Sequence, residues 1–305
     1  MSNSQIQPPL MENRQLSITA IAWALTLLVS SLADILFYEL SGGIPAWLLW
    51  AKLSLLGLAL LLSLLWKPLA ALRPYLVMLL AITGLMRLNA CVLELPAWRR
   101  WQEGQSFAVA ALAIQLVEMS VALLLIGLLY LLRGRRECFF LVRGDLQAQA
   151  EPVRLFFQKK PGPLWQFGVI FTLVVIVAQF FMFILPLAPS AETLCRLLPL
   201  LPLVILLAAS NGFNEEVTLR MVPISPVYEV VGKGHAIWMA ALLFGSAHYI
   251  GGIPSGVIGV LITSVLGWFF GKCMLDSKGF FWPWLFHSLQ DLLPFTLLAL
   301  GAVNG

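Results

Sequence analysis

The sequence predicts an all-α polytopic integral membrane protein, a helical bundle of about eight or nine transmembrane helices. Composition is the first observation behind that prediction. Of 305 residues, 60% are hydrophobic and 11% are charged, and the mean hydropathy is +0.90, whereas roughly a quarter of a soluble domain is charged. Length is the second. A helix crosses the hydrocarbon layer with about 20 mostly apolar residues. The stretches 17–39, 45–66, 75–93, 106–132, 165–188, 196–213, 236–250, 255–271 and 281–301 approach that length or meet it. The third is the lack of strand-like alternation: lipid offers the backbone no water, so its polar groups pair within helices.

Taken in order, residues 17–39 are too long for a signal peptide and lack a small-residue cleavage site, which makes them a retained span. They open a four-span N-terminal region, residues 1–132. Lone ionisable groups lie in or beside these spans: Asp34, Glu39, Lys52, Arg87, Glu94 and Glu118. A charge in the membrane faces a partner or water, so Asp34 with Lys52 and Arg87 with Glu118 are expected as structural pairs. Residues 133–164 form a basic cytoplasmic loop. Its part "EPVRLFFQKKPG" mixes basic and aromatic residues as an interfacial segment beside anionic headgroups would, although an ordinary positive-inside loop is the first reading. Residues 165–305 supply a five-span C-terminal region.

The basic residues set the orientation. With the N-terminus inside, the inner loops hold Arg14, Lys67, Arg73, the 133–160 cluster, Lys233, Lys272 and Lys278, while the outer loops hold Arg87, Arg99, Arg100 and Arg196. The positive-inside rule therefore puts the N-terminus in the cytoplasm and the chain in the cell (inner) membrane. Cys91, Cys138, Cys195 and Cys273 are scattered, which suggests neither a disulfide framework nor a thiolate metal site. The net charge of +4 mostly describes loops, and no nucleic-acid partner is implied.

Polar residues are arranged differently in the last hundred positions. Three clusters stand out: Glu215-Glu216-Val-Thr-Leu-Arg220, Phe244-Gly-Ser-Ala-His248 and His287-Ser-Leu-Gln-Asp291. The remaining histidine, His235, falls in a polar loop on this reading. Glu216 and Arg220 are four apart and share a helix face, as do His287 with Asp291 and Phe244 with His248. Glu215 points about 100° away from Glu216, so one glutamate pairs with the arginine and the other is left to face a cavity. A carboxylate and two histidines converging in a low-dielectric cavity suit the activation of water for amide hydrolysis. Taken singly, each cluster also reads as ordinary structure: a solvated salt bridge, a helix-end histidine, a satisfied buried pair.

The order EExxxR, FxxxH, HxxxN/D resembles the CPBP family, also called the Abi or CAAX-protease-and-bacteriocin-processing family, whose eukaryotic relatives are the Rce1-type CAAX prenyl endopeptidases. The glycine-rich "GGIPSGVIGVLITSVLGWFFG" and the following "SKGFFWPWLFHSLQD" are similar to the family too. The likeness covers about residues 200–295. It implies that Glu215 and His248 activate the attacking water, that His287 helps bind water or the oxyanion, and that Glu216 and Arg220 buttress the site. Asp291 stands where the family often has asparagine. An aspartate donates no hydrogen bond unless protonated, so an oxyanion donor there requires a protonated Asp291, or the duty passes to His287. Met221 likewise stands where many relatives have glycine.

The implied activity is intramembrane endopeptidase chemistry on a membrane-associated, prenylated or otherwise lipidated peptide or protein, with no cofactor. Two other readings stay open. Glu215, His248, His287 and Asp291 also form a ligand set for zinc, and a non-catalytic scaffold or transporter would use the same cavity for binding. Nine simple spans put Glu215 near the inner face and His248 about 18 Å deeper by helical rise. Convergence of the motifs thus requires a shifted boundary or a re-entrant segment, for which Pro223, Pro226 and Pro254 offer breaks.

Overall fold

The computed structural model describes residues 9–152 and 160–304. Among the described residues, ten helices of ten or more residues carry the fold: α1 (Pro9–Val29), α2 (Leu32–Ser41), α3 (Ala46–Leu65), α4 (Arg73–Glu94), α5 (Phe107–Arg133), α6 (Leu164–Gln179), α7 (Leu201–Glu216), α8 (Lys233–Gly251), α9 (Gly256–Ser277) and α10 (Phe281–Asn304). Among the described residues, 7 helical runs are long and apolar enough to cross a membrane, and α1 with α2, bent by 43°, makes an eighth if the pair is one span. The protein is thus an all-α, multi-pass membrane protein. Of the nine apolar stretches, 236–250 is the one outside this set: it forms a helix, α8, but Lys233, His235, Ser246, His248 and Tyr249 dilute its apolar character. Residues 153–159, the heart of the basic and aromatic stretch, lie outside the described residues.

The chain divides into two compact units, Met1–Gly84 with Pro223–Trp268, and Leu85–Val222 with Phe269–Gly305. In the first, the helical run breaks between α1 and α2 at Ser30 and Ser31. Lys52 of α3 donates to the Ser30 carbonyl at 3.0 Å and meets Asp34 Oδ2 at 2.5 Å. The break frees a carbonyl that a buried ammonium needs, and the carboxylate supplies the countercharge. This is the Asp34–Lys52 pair the sequence leads one to expect. His235 lies in the first turn of α8 rather than in a loop, where its Nδ1 accepts from Trp23 Nε1–H at 3.0 Å. The glycines of the 251–271 stretch let α8 and the first half of α9 close on each other. A Cβ on Gly267 would meet Ala241 Cα at 3.1 Å, and one on Gly245 of α8 would meet the Val260 carbonyl at 2.9 Å.

In the second unit α7 and α10 run antiparallel and make its most extensive helix pairing. Leu197, Val204, Ala299 and Leu300 bury one end of it. Further along, Trp284 Nε1–H donates to the Ala209 carbonyl at 2.9 Å, and Gly212 leaves room for Ser288, whose Oγ would lie 2.7 Å from an added Cβ. The stretch after α5 folds back onto the α9–α10 turn: Asp145 N–H donates to the Ser277 carbonyl and Phe280 N–H to the Val142 carbonyl, each at 2.8 Å. Arg87 does not pair with Glu118 as expected. Its Nη1 lies 3.8 Å from Glu94 Oε2, two turns further along α4, because Glu118 lines a cavity with α7 residues.

Gly144 holds the fold-back at φ +75°, and a Cβ there would stand 2.7 Å from both Gly279 Cα and the Ser277 carbonyl. Backbone strain and a backbone clash thus act together. Gly144→Ala should lower the thermal unfolding midpoint in detergent by an amount corresponding to about 1–3 kcal/mol. Gly43→Ala, with nothing within 4 Å of the added carbon, should leave the midpoint in place.

Candidate active site

The Glu215–Arg220 cluster is not a polar loop. It lies inside one helical run, Ala191–Ile224, which the sequence reading ended at residue 213. After α7 the run widens into a π-helical turn over Val217–Met221. Such turns insert an extra residue into the helix and re-aim the side chains around it, often at functional sites. Here Glu216 and Arg220 are fully buried, with Arg220 Nε 3.3 Å from Glu216 Oε1. Each of these two charges out of water has its countercharge in the other, and Arg220 Nη1–H also donates to the Leu219 carbonyl at 3.1 Å.

The same Glu216 oxygen accepts from His287. His287 Nδ1–H reaches Glu216 Oε1 at 2.8 Å, so one carboxylate oxygen ties α10 to the arginine. The other ring nitrogen, Nε2, lies 3.4 Å from Glu215 Oε2 and 3.6 Å from Asp291 Oδ1. With a carboxylate oxygen facing each nitrogen, both are placed as donors. Asp291 is held in turn by Asn211, whose Nδ2–H donates to Oδ2 at 2.9 Å. Asp291 therefore serves as an acceptor toward the neighbour that fixes it. Phe270 completes the packing, its ring stacked 4.6 Å from the imidazole at an interplanar angle of 13° and its centroid 5.5 Å from the Arg220 guanidinium carbon. A face-on cation and a flat stack together fix the imidazole plane.

The adjacent glutamates differ as the 100° offset requires. The Glu216 side chain is fully buried, whereas that of Glu215 is 27% exposed and lines a cavity of about 110 Å³. Met86, Asn89, Glu118, Val121, Asn211, Asn214, Thr218 and Leu219 complete the lining. Five of these residues, Asn89, Glu118, Asn211, Asn214 and Thr218, carry polar groups that the sequence reading does not assign to the site. Glu118 stood there as half of a structural pair, although an ionisable residue three positions after Gln115 on one helix face is a legible signal. Asn211 and Asn214 announce themselves only by helical register with Glu215.

His248 belongs to the first unit, near the end of α8. Its ring meets Phe244 edge-on at 4.4 Å, and its Nδ1–H donates to the Phe244 carbonyl at 2.8 Å, since a carbonyl only accepts. That bond fixes the ring's orientation and makes Nε2 its acceptor in the neutral tautomer. The second unit thus brings together Glu215, Glu216, Arg220, His287 and Asp291. Among the described residues, no three His, Cys, Asp or Glu side chains are grouped so as to hold a metal ion.

The comparisons bear on residues 197–293, which match the family model described as "Type II CAAX prenyl endopeptidase Rce1-like". The matched segment contains all three clusters and supports an intramembrane protease. No curated protein and no solved structure matches the chain. The resemblance seen in the three motifs is therefore found again, over residues 197–293, as a match to the Rce1-like type II CAAX prenyl endopeptidases.

Proposed function

We propose that this chain is an intramembrane endopeptidase of CPBP type that hydrolyses a peptide bond with a glutamate-activated water. One observation carries the reading: of two adjacent glutamates, one is locked in a buried pair with Arg220 and the other faces a cavity. A carboxylate that serves as general base needs access to water and a fixed position, and Glu215 has both. Its neighbour His287 Nε2, at 3.4 Å, holds it and supplies a donor beside the place where charge would grow on the scissile carbonyl. Glu216, Arg220 and Asp291 act by holding His287. The role of His248 as proton partner of Glu215 rests on the motif order within the matched segment. It is supported by the bond from Nδ1–H to the Phe244 carbonyl, which leaves Nε2 as the ring's acceptor.

The substrate class we infer is a membrane-associated peptide or protein, with prenylated or otherwise lipidated tails as first candidates, because the matched family model is that of prenyl endopeptidases. The distribution of basic residues supports an N-terminus in the cytoplasm of a cell (inner) membrane protein whose site opens toward the basic loops. Glu137, in the loop after α5, has its carboxyl held below the usual range by its own backbone N–H and by Arg135 and Arg136, in keeping with a strongly basic face.

Purified protein in detergent should cleave a farnesylated reporter peptide. Glu215→Gln should lower the rate at least about 100-fold, and His248→Ala should do so comparably, as loss of general-base machinery does. Chelator should leave the wild-type rate in place; inhibition that added zinc reverses would transfer these residues to a metal mechanism. Cleavage retained by both variants would remove the assigned site and favour a binding or transport role for the cavity. Arg220→Met leaves Glu216 buried without its arginine, and should cost about 3–5 kcal/mol in thermal unfolding. Adding Glu216→Gln to Arg220→Met should cost less than the sum of the single changes.

A further inference from the structure

The cavity beside Glu215 is rich in acceptors that meet no donor. Asn214 Oδ1 and Asn89 Oδ1 are buried and have no hydrogen-bond partner among the described residues. Both residues line the cavity, and Asn214 is itself only 4% exposed. An unpaired buried acceptor is costly and uncommon, so two of them on one cavity point to a ligand that brings N–H groups.

A hydrogen-bond chain on α5 and α7 determines which atom Asn214 presents. Glu118 Oε2 accepts from Gln115 Nε2–H at 3.1 Å. A carboxylate asks for a donor, so Gln115 turns its amide nitrogen to Glu118 and its carbonyl oxygen the other way. That oxygen takes Asn214 Nδ2–H at 3.4 Å, which leaves Asn214 Oδ1 as the unpaired atom. The order of donors along the chain therefore follows from the acid at its end. Asn211, Asn214, Glu215, Thr218 and Leu219 lie at intervals of three, four, seven and eight from the first and form one stripe along the helical run. A group bound at Asn214 is held next to the glutamate that follows it.

Resting on the protease reading above, we propose that Asn214 and Asn89 form a subsite that accepts backbone N–H groups of an extended peptide substrate, with Gln115 and Glu118 as the residues that position Asn214. A peptide unwound within the membrane has N–H groups that lipid cannot satisfy. Acceptors fixed in the cavity meet that need and favour an unwound segment over a helical one, whose N–H groups are already paired. Recognition through the backbone would place a scissile bond beside Glu215 with little regard for side chains.

The test is a binding titration with the full chain carrying Glu215→Gln, in detergent, followed by fluorescence anisotropy. The probe is a dye-labelled farnesylated peptide and its ester analogues, in each of which one backbone N–H is replaced by oxygen. At one position the ester should weaken binding about tenfold, and in the Asn214→Leu background that same ester should cost nothing further. Glu118→Leu should shrink the penalty, and Glu118→Gln, whose amide can donate as well as accept and so no longer dictates which way Gln115 turns, should restore it only in part. A penalty unchanged in the Asn214→Leu background, or no penalty at any position, overturns the subsite, while Glu215-dependent cleavage by the parent chain would leave the protease reading standing. A probe that the parent chain neither binds nor cleaves overturns both. If Asn214→Leu does not fold, Asn89→Leu carries the same comparison with its own ester position.

Discussion

One carboxylate oxygen organises the candidate site. Glu216 Oε1 meets both Arg220 Nε at 3.3 Å and His287 Nδ1 at 2.8 Å in a fully buried setting. Removing charge from water is expensive enough that such a group survives only with its partners in place. That constraint fixes the register of α7 against α10, orients the imidazole and leaves its far nitrogen to Glu215 and Asp291. Glu215 meets the imidazole from its other side, at 3.4 Å, and faces the cavity. The division of labour between the two glutamates thus follows from helical geometry together with the cost of burial.

The surrounding fold serves this arrangement at several points. Gly212 admits Ser288 of α10 to the α7 backbone, and Trp284 anchors the pairing by its bond to Ala209. The π-helical turn after Glu216 changes the helical phase of the residues that follow it, with Thr218 and Leu219 on the cavity and Arg220 in the buried pair. The low dielectric that makes the buried ion pair costly also strengthens every hydrogen bond made within it.

Much of this was legible in the sequence, for identifiable reasons. Long apolar runs gave the helices because the bilayer imposes a length and forbids unpaired backbone. The Glu216–Arg220 and His287–Asp291 proximities followed from spacing of four, and Asp34 with Lys52 from the cost of isolated charge. Where spacing was silent, the reading failed. The apolar core of α8 suggested a full span, but the polar residues near both ends of that helix keep it from qualifying. The widened turn at 217–221 has no compositional mark, and the run was ended too early. Arg87 was paired with Glu118 across two spans, although Glu94, two turns along the same helix, is the partner in reach. Glu118, Asn211 and Asn214 were missed because their role depends on which helices meet, and periodicity does not encode that.

The central claim, that Glu216 holds the site together while Glu215 performs the chemistry, is tested most directly by measuring thermal unfolding and single-turnover cleavage on Glu215→Gln and Glu216→Gln side by side. The account predicts that Glu215→Gln unfolds at the wild-type temperature and does not cleave, whereas Glu216→Gln unfolds at a clearly lower temperature. If Glu216→Gln kept the wild-type unfolding temperature, or Glu215→Gln kept the wild-type cleavage rate, the division between the two glutamates would be contradicted.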